Sequence, residues 1–102
     1  MIARVWHGAV PAEKQAAYRA YLGRTGVPDS RGTPGNMGVT VLERREDGVA
    51  HFLFISLWDS EASIRRFAGE PLERARYYPE DAAYLLELEP TVTHYEVAVL
   101  ER

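Results

Sequence analysis

Phe52 to Leu57 is almost wholly apolar. Successive strand residues point to opposite faces, so this segment predicts a strand that is apolar on both. Ile2 to Gly8 is short and rich in β-formers, and predicts a first strand. Pro11 then opens a helix, where a missing N–H is tolerated, and from Ala12 to about Gly23 the residues Ala17, Tyr18, Tyr21 and Leu22 form one stripe. Gly26 to Gly35 is dense in Gly, Pro, Asp and Ser and predicts a long loop. Gly38 to Arg44 and His51 to Leu57 predict a hairpin around Asp47-Gly48. Ser60 caps a second helix with Ile64 and Phe67 on its apolar face, ended by Gly69 and Pro71. Short helical stretches are expected around Leu72 to Tyr77 and from Glu80 to about Leu88, and a last strand from Thr91 to Leu100.

The order strand, helix, strand, strand, helix, strand predicts an α+β fold, a ferredoxin-like βαββαβ antiparallel sheet with helices on one face. Those helices cover one side of strand three. Its second apolar side therefore predicts a homodimer, in which another copy of the chain covers that face.

Composition narrows the partners. A chain of 102 residues fits a single domain, 1–102. With 46% hydrophobic and 26% charged residues it reads as a globular protein rather than a disordered one. No apolar run approaches a membrane span, and the first residues lack a secretory pattern, so no membrane partner and a cytoplasmic location are expected. There is no Cys, which removes disulfides, thiolate metal sites and a cysteine nucleophile. A net charge of -3 with interspersed signs offers no basic stripe, and nucleic acid is not an expected partner.

The three histidines, His7, His51 and His94, fall near strand ends that a ferredoxin-like sheet brings to one edge. A three-His metal site needs all of them on one face. Placing His7 near His51 puts Val5, Leu53 and Ile55 on the same aliphatic face. Pairing Arg4 with Glu96, the best charge match, puts Trp6 beside His94 on the opposite face. The trio then splits, and no metal site is expected. The second face collects Arg4, Trp6, Phe52, Phe54, Ser56, Trp58, His94 and Glu96. That set reads either as the wall of a ligand pocket or as an aromatic core in which Arg4 and Glu96 neutralise each other. Tyr77, Tyr78 and Tyr84 follow in a later segment, where a hydroxyl could donate to a phenol or quinone oxygen or simply pack. Glu80 and Asp81, after Pro79, read as first-turn helix acids. The glycines of "GTPGNMG" precede no Lys-Ser/Thr and no helix, so they predict a turn rather than a phosphate loop.

The segments "ARVWHGAVPAEKQAAYRAYL", "TPGNMGVTVLER", "HFLFISLWDSEASIRRFAG" and "VTHYEV" together resemble the antibiotic-biosynthesis-monooxygenase-like family of dimeric α+β barrels. The most specific element is a strand ending in Trp-x-Ser before a helix, here Trp58-Asp59-Ser60. The resemblance implies that Trp58 lines a pocket between sheet and helices. It also implies a function among cofactor-independent oxygenases of polyphenols, haem-degrading enzymes or members without assigned activity. The haem-degrading branch carries an Asn on strand one and a haem-ligating His on the second helix; here strand one has no Asn and Ala68 stands at the helix position. No haem and no other cofactor is expected.

Two functions follow. In one, the protein is a cofactor-independent monooxygenase of a small aromatic quinol or phenol, with Arg4 and His94 as catalytic groups and Trp58, Trp6, Phe54, Ser56, Tyr77 and Tyr78 around the ring. In the other, the same dimeric barrel is a non-catalytic or stress-related module that binds a small ligand or none.

Overall fold

The computed structural model describes residues 1–102. Strand β1 (Ile2–Pro11) runs through a single 3-10 turn (Ala12–Lys14) into helix α1 (Gln15–Arg24), followed by α2 (Gly26–Gly32). The hairpin of β2 (Asn36–Glu46) and β3 (Val49–Trp58) leads to α3 (Glu61–Ala68), a one-turn helix α4 (Asp81–Tyr84) and β4 (Thr93–Glu96). The sheet is antiparallel with order β2-β3-β1-β4, the ferredoxin-like α+β arrangement. No helix is long and apolar enough to cross a membrane.

Strand β3 shows why the helices lie on one side. Ala50, Phe52, Phe54, Ser56 and Trp58 are buried, while the alternate residues His51, Leu53, Ile55 and Leu57 are half-exposed. The buried row meets two aromatic clusters. Tyr18, Tyr21 and Leu22 of α1 pack on Phe52, Phe54 and Val10, and Ile64 of α3 packs on Trp58 with Leu72. Ser60 caps α3 as expected, its hydroxyl accepting from the Ser63 N–H.

Four expectations are corrected. Gly26 to Gly32 is helical rather than a loop, because its turn formers occupy positions a helix tolerates: Gly26 and Pro28 in the first turn, where N–H groups have no intrahelical acceptor, and Gly32 at the end. Leu72 to Tyr77 is not helical: a turn at Leu72 and Glu73 leads into a single bridge between Arg74 and Thr91, and the Leu72 and Arg74 carbonyls, which a helix would use internally, accept from Arg4 instead. The stretch from Glu80 shortens to one turn because the Leu86 N–H is drawn to the Ala9 carbonyl at the edge of β1 (2.9 Å). The last strand pairs over Thr93–Glu96 only, its ladder closing where Val97 N–H meets the Met1 carbonyl (3.0 Å).

The register of β4 is also slipped by two residues from the expected one. Arg4 stands opposite His94, and Glu96 opposite Ile2. A two-residue slip preserves the side-chain faces. His94 therefore shares the helix side with Arg4 and Trp6, while His7 and His51 lie on the outer side, as the split of the trio requires. Glu96 does not neutralise Arg4.

Candidate active site

Between the sheet and the helices lies a cleft with about 50 Å³ of room, walled by Trp6, Tyr18, Leu22, Phe54, Phe67 and Val92. Arg4, Ser56, Tyr77, Tyr78, Arg76 and Asp81 add the polar groups. Two glycines make the space. A Cβ on Gly8 would fall 2.2 Å from the Trp6 ring, and one on Gly26 would press on Phe54 at 3.2 Å. The Trp6 indole thus lies flat along its own strand, and α2 begins directly over the Phe54 ring.

Arg4 is buried, 4% exposed, yet it has no carboxylate partner at ion-pair distance. Its NH1 donates to the Leu72 carbonyl (2.8 Å) and meets His94 Nε2 (3.0 Å), and its NH2 donates to the Arg74 carbonyl (2.8 Å). These contacts use three of the five guanidinium N–H groups. Burial lowers the Arg4 pKa to about 10, against which the more distant Glu73 acts weakly; at neutral pH the cation persists. His94 is pushed below the usual imidazole range, first by burial and then by the Arg4 charge. A neutral His94 accepts from Arg4 through Nε2, so its lone pair orients Arg4 and is not free to act as a base. His94 stands behind Arg4, outside the cleft wall.

Directly across the strand pair from Arg4 is Ser56. Its Oγ accepts the Trp58 indole N–H at 2.8 Å, which leaves the Ser56 hydroxyl proton without a protein acceptor. Arg4 and Ser56 thus place unused donors side by side at the sheet end of the cleft.

Trp58 itself differs from expectation. The partly accessible, pocket-lining ring implied by the resemblance is fully enclosed, packed against Phe67 at 5.6 Å between centroids and against Ile64 and Leu72. Helix α3, brought down by the Ser60 cap, covers it, and Trp58 reaches the cleft only through its neighbours Ser56 and Phe67. Trp6, Phe54, Ser56, Tyr77 and Tyr78 do come together at the cleft. Both tyrosine hydroxyls are already committed: Tyr77 donates to the Glu89 carbonyl (2.6 Å) while accepting from Trp6 Nε1 (3.1 Å), and Tyr78 donates to Asp29 (2.7 Å). Burial, and for Tyr78 also Asp29, raises both phenol pKa values, so they remain donors.

Sequence reasoning missed Asp81 and Tyr18. Asp81 is 3% exposed in the cleft wall, where it accepts from the Tyr18 hydroxyl (2.9 Å) and the Tyr78 N–H (2.6 Å). Burial and the Asp81 charge push the Tyr18 phenol far up, fixing it as the donor. The signal was the Tyr18, Tyr21 and Tyr84 spacing, three rings that stack around the turn Asp81 opens.

On the outer side, His7 Nδ1 meets Glu89 at 2.6 Å and His7 Nε2 meets His51 Nδ1 at 3.1 Å. His7, His51 and Glu89 are not arranged to share a metal ion.

No family profile and no curated protein matches the sequence. Solved structures do. One is a protein from Nitrosomonas europaea that carries the provisional name antibiotic biosynthesis monooxygenase, 17% identical, with 97% of this chain and 100% of that chain covered at a TM-score of 0.66. Another is a mutant of MhuD with two manganese protoporphyrin IX bound per active site, 16% identical, covering 100% of this chain and 99% of that chain at 0.67. The residues here do not fit a porphyrin in that manner: α3 carries no His, His94 is tied to Arg4, and the cleft is far smaller than a macrocycle. Across almost its whole length, the chain has the α+β fold of these two proteins.

Proposed function

We propose that the cleft binds a small electron-rich aromatic through an ionised oxygen and supports its oxygenation by O2, a monooxygenase-like function. The observation that carries this reading is Arg4, a buried guanidinium in the cleft wall with no carboxylate partner and with N–H groups to spare. A buried charge is costly unless compensated, so an anionic ligand group is the natural complement. Ser56, held by Trp58, adds a second donor to the same oxygen. Trp6, Phe54 and the faces of Tyr77 and Tyr78 supply apolar walls. The provisional name of the Nitrosomonas europaea structure supports the same reaction class.

The chemistry needs no outside reductant. A ring carbon bearing two hydrogens in its keto tautomer loses a proton, and the resulting enolate gives one electron to O2. Superoxide and the substrate radical combine to a peroxide, which loses water to leave C=O. One substrate and one O2 give one ketone and one water: the proton lost at the start passes to water and one returns to the peroxide, and all four electrons that reduce O2 come from the CH2 carbon of the substrate. Arg4 and Ser56 stabilise the enolate oxygen, and the apolar wall excludes water around it. His94 acts by orienting Arg4, and Trp58 by orienting Ser56.

The narrow resting cleft favours a second reading, a non-catalytic module for a small ligand: about 50 Å³ is less than the ~150 Å³ that houses benzene in an engineered cavity. Oxygen uptake with a panel of quinols and phenols separates the two. The expected result is uptake of one O2 per substrate with at least one compound, falling by about 100-fold or more in Arg4→Met. Binding without uptake supports the second reading.

The protein is further proposed to act as a homodimer. Leu42 and Tyr95 on the outer side are 46% and 58% exposed, beside half-exposed Val5, Leu53, Ile55 and Leu57. An apolar sheet face of this kind calls for a cover, and a second copy brings the same face.

A further inference from the structure

One carboxylate joins two of the side chains that line the cleft. Asp29 Oδ2, on α2, accepts from the Tyr78 hydroxyl at 2.7 Å and from Arg76 NH2 at 3.3 Å. Arg76 in turn lies 4.7 Å over the Phe67 ring and 5.1 Å over the Tyr78 ring, and its NH1 donates to the Phe67 carbonyl at 2.9 Å. Tyr78, Arg76 and Phe67 all line the cleft. A single oxygen on a short helix thus ties together Arg76 and Tyr78, and through Arg76 reaches Phe67, on the part of the lining that the sheet does not supply.

Two properties make this cluster suited to opening. Asp29 and Arg76 are 44% and 37% exposed in their side chains, so their ion pair is weak and water can replace it. The residues on the sheet side, Arg4, Ser56 and Phe54, are buried and fixed by the ladder. A ring that enters must therefore displace the Arg76 and Tyr78 side rather than the sheet side.

We propose that Asp29 is the latch of the cleft: it holds Tyr78 and Arg76 across the mouth in the resting state, and their release from Asp29 admits a ring-sized ligand. This rests on the reading above that an aromatic ligand occupies the cleft. Release exchanges the two Asp29 hydrogen bonds for water and, with a rotamer change of Arg76, its bond to the Phe67 carbonyl as well. Arg4, Ser56, Trp6 and Phe54 on the sheet side stay in place.

The test compares the full-length parent with Asp29→Ala and Asp29→Asn, both at an exposed position that leaves the core intact. Stopped-flow binding of hydroxynaphthoate, a fluorescent aromatic anion, reads the rates, and acrylamide quenching reads the mouth without any ligand. Trp6 lines the cleft while Trp58 is fully enclosed, so a gain in quenching reports on Trp6; Trp6→Phe confirms the source. Asp29→Ala is expected to raise both association and dissociation rates by about tenfold, the scale of one charge-assisted hydrogen bond, with Kd changed much less. Trp6 quenching rises in parallel, and Asp29→Asn, which keeps an acceptor without the charge, falls between. Unchanged rates and unchanged quenching overturn the latch, while binding that still depends on Arg4 keeps the ligand reading. Absence of binding in parent and variant, with quenching raised in Asp29→Ala, leaves the latch standing and removes the ligand reading. Absence of both removes the two together.

Discussion

The Trp58 indole N–H donates to Ser56 Oγ at 2.8 Å, two residues back on the same strand face. The bond places a fully buried ring behind the cleft and makes it the anchor of a hydroxyl inside it. Structural and functional effects of Trp58 therefore separate by substitution. Trp58→Ala removes a large core ring and is expected to cost about 3–5 kcal/mol in denaturant unfolding. Trp58→Phe keeps a ring but releases Ser56, and is expected to cost about 1–2 kcal/mol while weakening aromatic-anion binding to the degree that Ser56→Ala does. Calorimetric titration of both variants checks this: a Trp58→Phe protein that binds as the parent does removes the orienting role.

Arg4 links fold and site in the same way. Its guanidinium satisfies the Leu72 and Arg74 carbonyls, which holds the non-helical Leu72 to Tyr77 segment against the cleft. Arg4→Met leaves both carbonyls without that donor, at about 1–3 kcal/mol, partly offset because a buried cation is removed. Arg4→Lys keeps the charge but cannot serve two carbonyls and His94 at once. Both variants are expected to fold, and both to lose most anion affinity, with Lys retaining more than Met. Equal affinity of Arg4→Met and parent for an aromatic anion would remove Arg4 from the binding site.

Much of this was legible in the residues. The alternation around Phe52 to Leu57 and the Asp47-Gly48 turn located the hairpin and both faces of the sheet. Face parity survived a wrong partner for Arg4 because the slip was an even number of residues. What could not be read depends on contacts distant in the chain. Helix α2 forms from residues whose local preferences favour a turn. The 72–77 segment is not a helix because Arg4, 68 residues before Leu72, takes its carbonyl. Asp81 looks like a helix-start acid in the sequence, and only the stacking of Tyr18, Tyr21 and Tyr84 around it turns it into the buried acceptor of the cleft.

His94 should make the protein sensitive to mild acid. Burial, and then the neighbouring Arg4 cation, hold its folded pKa below the ordinary imidazole value. As pH falls through about 6.5 the unfolded chain takes up the proton first. Stability is therefore full above that pH, and declines through the window from about 6.5 down to the lower folded value. As pH reaches the lower end of that window the folded His94 is itself protonated, its Nε2 can no longer accept from Arg4, and anion binding weakens as well. His94→Gln retains an acceptor that does not titrate and is expected to flatten both profiles. Unfolding curves and ligand titrations from pH 8 to 5 check this; a His94→Gln protein with the parent's pH dependence assigns the effect elsewhere.

The outer sheet face gives the last prediction. In a single chain Leu53 and Ile55 are only half-buried, so a charge at either position has water available and costs little within one subunit. If a second copy covers the face, the same charge is buried without a partner and the interface loses several kcal/mol. The two cases differ in what the variant does. Leu53→Glu and Ile55→Asp are expected to remain folded, with helical and strand signals like the parent, and to sediment as monomers where the parent sediments as a dimer. Tyr95→Ala, at the β4 edge, should weaken the dimer less, since it trims apolar area without adding charge. A parent that sediments as a monomer at micromolar concentration removes the homodimer and leaves this face as exposed apolar surface on a single chain.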